Sequence, residues 1–374
     1  MIKTFLRKAG KILVVALCVI LVCLIAILIY FFAKSPGKIT PFLDDEGSVL
    51  EGSISEKIHV SINGAEQGMF IRGKDMANPV LLFLHGGPGM PQYFMFDKCD
   101  TDLEEFFVVC YWEQRGAGLS YHSDMSGDDI TVGQLVADTT AVANYLRERF
   151  GQEKIYLMAH SWGSFIGIQS AAVNPELYHA YIGISQIKNQ AESEVLAVDY
   201  MIARYSENGN TKRVKELERF NIHDGNDAIY DFFTSPLRDT VMHELGIGSM
   251  RDMNSVISGI FFPLMKCGAY TLREKINIWV AKSFLNNSTK LHQEMLNTDL
   301  SNTFSDFEIP IYITAGIYDY TVNYDMQKEY FTVISAPVKG FYTFNNSAHS
   351  PLYEEPERFV EIVINDILNG VATE

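Results

Sequence analysis

The chain has 374 residues, enough for one large domain or two moderate ones, and its 47% hydrophobic and 20% charged content lies in the globular range. The formal charge is −16, and the five basic residues of positions 1–35 (Lys3, Arg7, Lys8, Lys11, Lys34) have no acid among them, so the remainder carries 25 basic against 46 acidic residues. That balance argues against a nucleic-acid partner, whose phosphates demand a basic face.

Ile12 to Ala33 is a run of 22 residues without a charge. At about 1.5 Å per residue it spans a bilayer core of roughly 30 Å. Basic residues precede it, and Lys34 and Lys38 behind it are soon diluted by Asp44, Asp45 and Glu46. The positive-inside bias then puts residues 1–11 in the cytoplasm, residues 12–33 across the cell membrane as a single pass, and the rest outside the cytoplasm. A cleaved signal peptide is the rival. Its apolar region is usually shorter and ends in small residues, whereas Tyr30-Phe31-Phe32 here is bulky. Residues 34–53 read as a polar tether containing Gly and Pro.

Alternation begins at Ile54. Ile54–Val60 and Gly68–Arg72 predict two strands joined at Asn63-Gly64, a hairpin signal. Pro79–Leu84 and Phe106–Trp112 predict buried strands, and Val132–Phe150 a helix with apolar residues at helical spacing. Ile155–Ala159 is another apolar strand, broken at Ala159-His160-Ser161-Trp162-Gly163 before small and apolar residues resume at helical spacing. Tyr181–Ile184 follows, then Gln190 to about Asn302 shows helical period and no apolar strand. Strands return at Ile309–Ala315 and Lys339–Phe344, with a last helix over Pro356–Leu368. Strands alternating with helices imply an α/β fold: a mostly parallel sheet with helices on both faces. The division is therefore a first core part at 54–187, a helical cap at 188–302 and a second core part at 303–374.

Strand, sharp turn and helix around Ser161 is the context in which a G-x-S-x-G-like motif means a nucleophile elbow, with Ala159 in place of the first Gly. The alternative is a serine that merely caps a helix. A serine nucleophile needs a base, a group to orient that base and an oxyanion hole. His85-Gly86-Gly87-Pro88-Gly89 follows a strand end and can offer the backbone amide of Gly87, the second donor being the amide of Trp162. Asp319 lies just beyond the Ile309–Ala315 strand, and His349 just beyond the last one. The chain order Ser161, Asp319, His349 and the placement of all three after strand ends suit a triad. Asp319 alone reads equally as a turn cap.

Cysteines stand at 18, 23, 99, 110 and 267 without a C-x-x-C pair, so no zinc or redox motif follows and no metal or organic cofactor is required. One disulfide among Cys99, Cys110 and Cys267, or free buried thiols, both fit. Asn286, Asn287 and Asn345 head N-x-[ST] sequons. Nothing in the sequence sets the oligomeric state.

His85-Gly-Gly-Pro-Gly89, Glu113-Gln-Arg-Gly-Ala-Gly-Leu-Ser120, His160-Ser-Trp-Gly163 and Ala348-His-Ser-Pro351 with Glu354-Glu-Pro356 together resemble the proline iminopeptidase-type α/β hydrolases over roughly residues 55–185 and 305–370. The resemblance implies a core sheet of about eight strands, a helical cap and hydrolysis of small substrates. In the aminopeptidase members it implies release of an N-terminal residue, often proline, from short peptides. It also implies that Arg115 is an ion-pair partner beneath the active-site loops, with Glu113 in the same network. Those members hold the substrate amine with acids of the cap. Glu192 and Glu194, directly after a strand, are the candidates here, with Asp199, Glu207 and Glu244 behind them. A carboxylester or lactone hydrolase with the same triad is the same-class rival, and a catalytically silent binding protein on this scaffold is the rival of another class. Ser161 at the elbow argues against epoxide hydrolase and dehalogenase chemistry, which uses an Asp there.

Overall fold

The structure, a computed structural model, describes residues 2–99 and 101–373. Lys3 and Arg7, on which the expected orientation partly rests, lie outside the described side chains. One helix spans Ile2–Ala33, beginning ten residues before the charge-free run and ending with it. Its stretch from Gly10 to Ala33 is long and apolar enough to cross a membrane, and side chains along it such as Ile12, Leu21 and Phe32 stand exposed.

Eight strands form one sheet: β1 (Ile54–Ile62), β2 (Ala65–Gly73), β3 (Val80–Leu84), β4 (Val108–Trp112), β5 (Ile155–His160), β6 (Tyr178–Ile184), β7 (Ile311–Gly316) and β8 (Lys339–Phe344). The order is β1-β2-β4-β3-β5-β6-β7-β8. Pairing is antiparallel for β1/β2 and β2/β4 and parallel for every other neighbour. Asn63 and Gly64 both have positive φ, as the two-residue turn of the β1/β2 hairpin requires. β3, β4, β5 and β7 are buried at every position, which is why they read as unbroken apolar runs, whereas the edge strand β8 alternates. β4 starts at Val108 rather than Phe106, because Leu103–Phe106 closes a helical turn first. The predicted helix over Val132–Phe150 is capped by Thr131 and ends at Gly151 in the left-handed region.

Between β6 and β7 the described residues hold helices and no strand, among them Gln190–Glu207, Pro236–Glu244, Phe262–Lys266 and Leu272–Ser288. This insertion, the cap, has an apolar cluster of its own built on Ala197, Met201, Phe232 and Val241. The tether is held to both the cap and the core. Its Lys38 amide donates to Gly268 O (3.2 Å), Pro36 bridges to Thr271, and the guanidinium of Arg72 lies 4.4 Å over the Phe42 ring. Cys99, Cys110 and Cys267 are free thiols, which removes the disulfide alternative.

Candidate active site

Ser161 occupies the turn between β5 and the Trp162–Val173 helix, with φ 55° and ψ −123°. A non-glycine residue there is strained, and the strain is held by its amide donating to Ile184 O (2.9 Å) and by its carbonyl accepting from Ser164 Oγ (2.6 Å). The helix must pass close to the sheet for this turn to close. A Cβ on Gly167 would come within 2.9 Å of the Ala159 Cβ. Gly167 therefore yields the room that Ala159 takes, and the departure from glycine two residues before the serine costs nothing.

The loop after β3 lies against Ser161: a Cβ on Gly86 would meet the Ser161 Cβ at 3.2 Å. Gly87 has φ 131°, and a Cβ there would fall 2.5 Å from Gly89 N, so only glycine fits. Gln92 Oε1 accepts from Gly86 N–H (3.0 Å), and Gly87 lines the same cavity as Ser161. The Trp162 amide opens its helix and is among those that a helix leaves unpaired. Pro88 and Gly89 complete the turn. His85 is a strut rather than a reagent. It is fully buried, its Nδ1–H donates to Gly86 O (2.8 Å), its Nε2 accepts from Gln114 N–H (3.1 Å), and burial pushes its pKa down to about 4. Gln114 also accepts from the Trp162 indole (3.0 Å) and donates to His85 O (2.8 Å), joining this loop to the elbow.

His349 Nδ1–H donates to Asp319 Oδ2 (2.9 Å), which turns Nε2 away from the carboxylate as an acceptor. Asp319 is fully buried and also accepts from Val322 N–H (2.9 Å) and Gln327 Nε2 (3.2 Å). The His349 carbonyl accepts from His160 Nε2 (2.7 Å) and Ser185 Oγ (2.9 Å). His160 is neutral, its pKa lowered to about 3 first by burial and then by His349, so Nε2 carries its proton and Nδ1 accepts from Gln92 Nε2 (2.8 Å). Glu354 takes the amides on both sides of His349, Ala348 (3.0 Å) and Ser350 (3.2 Å), together with Arg251 N–H (2.7 Å) from the cap. Gln92, Gln114, Gln327 and Glu354 thus hold the loops together, and of these Gln114 and Glu354 lay in stretches that the motifs singled out while Gln92 and Gln327 did not.

Ser161 and His349 line one cavity of about 180 Å³, walled by Met250, Met253, Val256 and Ile260 of the cap. Among the described residues no hydrogen bond joins the Ser161 hydroxyl to His349, a contact that in catalytic serines often tightens only around substrate. Residues 79–356 match the family model described as alpha/beta hydrolase fold. This chain belongs to the α/β-hydrolase fold family. It is 30% identical over 318 residues to the probable aminopeptidase YbaC of Bacillus subtilis (strain 168), covering 82% of this chain and 94% of that one. It is 22% identical over 294 residues to the proline iminopeptidase of Saccharolobus solfataricus, covering 77% and 84%. The crystal structure of proline iminopeptidase from Mycobacterium smegmatis superposes with a TM-score of 0.60 at 17% identity, over 82% of this chain and 96% of that one, a likeness of fold.

In this α/β hydrolase the remaining expected residues separate. Arg115 makes a bidentate pair with the buried Asp138 (2.6 and 2.9 Å) and donates to Ile62 O and Asn63 O (both 3.2 Å), and it does not line the cavity. Glu113 belongs elsewhere. It accepts from Tyr270 Oη of the cap and from Leu119 N–H (both 2.5 Å), and burial pushes its pKa up to about 7. Neither acid expected to hold an amine reaches the cavity. Glu192 is exposed in the first turn of its helix. Glu194 is fully buried and bidentate to Arg238 (2.8 and 2.5 Å), so its charge is already spent. Asp239 and Lys282 are the charged side chains that line the cavity, and spacing in the sequence gave no sign of either.

Proposed function

We propose that the protein is a membrane-anchored serine hydrolase that removes N-terminal residues from short peptides through an acyl-enzyme. The observation that carries this reading is Ser161, held at positive φ on the elbow, sharing a cavity with an imidazole whose other nitrogen is fixed by Asp319. The Ser161 oxygen attacks the scissile carbonyl carbon while His349 Nε2 takes its proton. The developing oxyanion is met by the amides of Gly87 and Trp162. The C–N bond then breaks as His349 returns the proton to the leaving amine, and Asp319 stabilises the imidazolium between the two steps. Water, deprotonated by His349, attacks the acyl carbon and releases Ser161 with the liberated residue as its carboxylate. Aminopeptidase chemistry is favoured by the relatives named aminopeptidase and proline iminopeptidase, with Asp239 as the acid that pairs with the substrate's free amine. The apolar N-terminal helix supports the anchor, with the catalytic part outside the cytoplasm.

Hydrolysis of carboxylesters is the second reading. The apolar cavity wall and the pairing of Glu194 with Arg238 favour it. A fluorophosphonate should label the full-length protein at Ser161 and fail to label Ser161→Ala; no labelling of the folded wild type would remove the hydrolase mechanism. Aminoacyl amides should be turned over and their N-acetyl forms should not. Ester turnover without aminoacyl turnover would give the second reading instead.

A further inference from the structure

The end of the N-terminal helix is fastened to the cap rather than to the core. Lys275 Nζ donates to Lys34 O (2.9 Å), Ser35 Oγ (2.8 Å) and Met265 O (2.9 Å), so a single ammonium joins the helix exit to both the Phe262–Lys266 and the Leu272–Ser288 helices. Ser35 is buried there, and the bridge of Pro36 to Thr271 follows.

Beside that exit the cap turns large apolar side chains outward. Ile276 and Val280, one helical turn apart, are 53% and 45% exposed, and Phe262 and Ile257 on the adjoining stretch are 44% and 62% exposed. Phe261 links the two stretches, its ring 5.5 Å from Phe262 and 6.1 Å from Trp279. At about 1.5 Å per residue, Ile276 and Val280 lie roughly 2 and 8 Å along the helix from Lys275. The charge changes here too. The exposed charges of segment 257–280 are the basic Lys266 and Arg273, since Lys275 is buried and Glu274 pairs with Lys57, within a chain whose residues beyond 35 are strongly acidic. Aromatic rings and basic residues beside an apolar face suit the headgroup layer of a bilayer with anionic lipids. The inner sides of the same stretches, at Val256, Ile260 and Trp279, line the cavity that holds Ser161.

We propose that this outer face of the cap rests in the headgroup layer of the bilayer that carries the N-terminal helix, so that the cavity over Ser161 takes amphiphilic, membrane-resident peptides from that layer. The proposal rests on the reading of residues 12–33 as a retained anchor. The bilayer is favoured over a second copy of the chain because the helix exit fixes where the membrane surface lies, and it lies at this patch.

The test uses the full chain in nanodiscs of phosphatidylethanolamine and phosphatidylglycerol, with a photoreactive benzoylphenylalanine at 262 or 276, and at 173 or 333 as exposed controls away from the cap. Lipid adducts at 262 and 276 and none at the controls are expected. Absence of lipid adducts at both cap positions, or adducts to a second chain instead, would overturn the proposal. Ile276→Asp with Val280→Asp should lower turnover of an N-terminally free lipopeptide held in the disc at least fivefold relative to a water-soluble aminoacyl amide; an unchanged ratio counts against it. Intact mass of the cellular protein separates the two readings. Cleavage near residue 33 removes the anchor and this proposal together, whereas a retained helix without adducts removes this proposal alone.

Discussion

The loops at the C-terminal ends of β3, β5, β7 and β8 and the cap above them hold their polar groups in opposite ways. In the loops nearly every polar contact serves geometry: Gln92, Gln114, Gln327 and Glu354 each join two segments, and the imidazoles of His85 and His160 are kept neutral as struts. In the cap the buried acid Glu194 is neutralised by Arg238, while Asp239 and Lys282 are left at the cavity wall. If the proposed function holds, chemistry is set by the first region and choice of substrate by the second, so substitutions in the two should fail differently: loss of rate in the loops, loss of discrimination in the cap.

The sharpest break comes from Asp319→Asn. The amide nitrogen of Asn cannot accept from His349 Nδ1–H, and the imidazole is then free to adopt the wrong tautomer. A fall in kcat on the order of 10⁴-fold is expected from the serine-protease precedent, at unchanged KM and melting temperature. A loss below about tenfold would mean that Asp319 only caps its turn through Val322 N–H.

Glu113 tests how the regions are joined, since it is the carboxylate of a core loop bonded to Tyr270 of the cap. Its pKa is raised from 4.5 to about 7, chiefly by burial. Between those values the folded protein keeps a proton that the unfolded chain has lost. Stability therefore falls as pH rises from 4.5 to 7, and the full penalty, about 3 kcal/mol at most, stands above pH 7. Glu354, also raised to about 7, adds a slope of the same sign. Urea unfolding of Glu113→Gln at pH 5 and pH 8 should show a smaller loss than the wild type over that interval. An unchanged difference would mean that Glu113 titrates normally.

Gly167→Ala sharpens the account of the elbow. The added methyl meets the Ala159 Cβ, and overpacking of that kind costs about 1–3 kcal/mol. Ala159→Gly in the same chain should restore part of the loss, since the Tyr181 and Leu84 side chains also stand 3.1 and 3.2 Å from that methyl, a coupling that additive sites would not show.

Most of the core was legible because its demands are local. A strained φ at Ser161, glycine at 87 and buried strands without alternation each leave a mark within a few residues. The cap's helices were legible from their period, but which of its acids face the cavity was not. Glu192 and Glu194 are two residues apart on one helix and face different surroundings, and the arginine that claims Glu194 lies 44 residues further on. The tether has the same reach: its composition shows no partner, while the lysine that fastens its start is 240 residues away.

Asp239 carries the cap's side of the comparison to the smallest effect. It stands beside Arg238 in sequence, but the closest approach of that guanidinium is 3.5 Å and its stronger bonds go to Glu194, so an incoming ammonium competes for Asp239 mainly with Lys282 on the same cavity wall. The side chain is largely exposed, and an ion pair made there with an incoming ammonium is screened, which limits its worth to about 1 kcal/mol. Asp239→Asn should then raise KM for an aminoacyl amide roughly fivefold at most and leave kcat within twofold, since the pair forms equally with bound substrate and transition state. Glu192→Gln, exposed and away from the cavity, should change neither. Equal effects of both substitutions would mean only that the acidic cap attracts cations from a distance, and high salt would then abolish both. An Asp239→Asn effect that survives on an N-acetylated substrate would remove the amine contact and leave Asp239 a role in shaping the cavity alone.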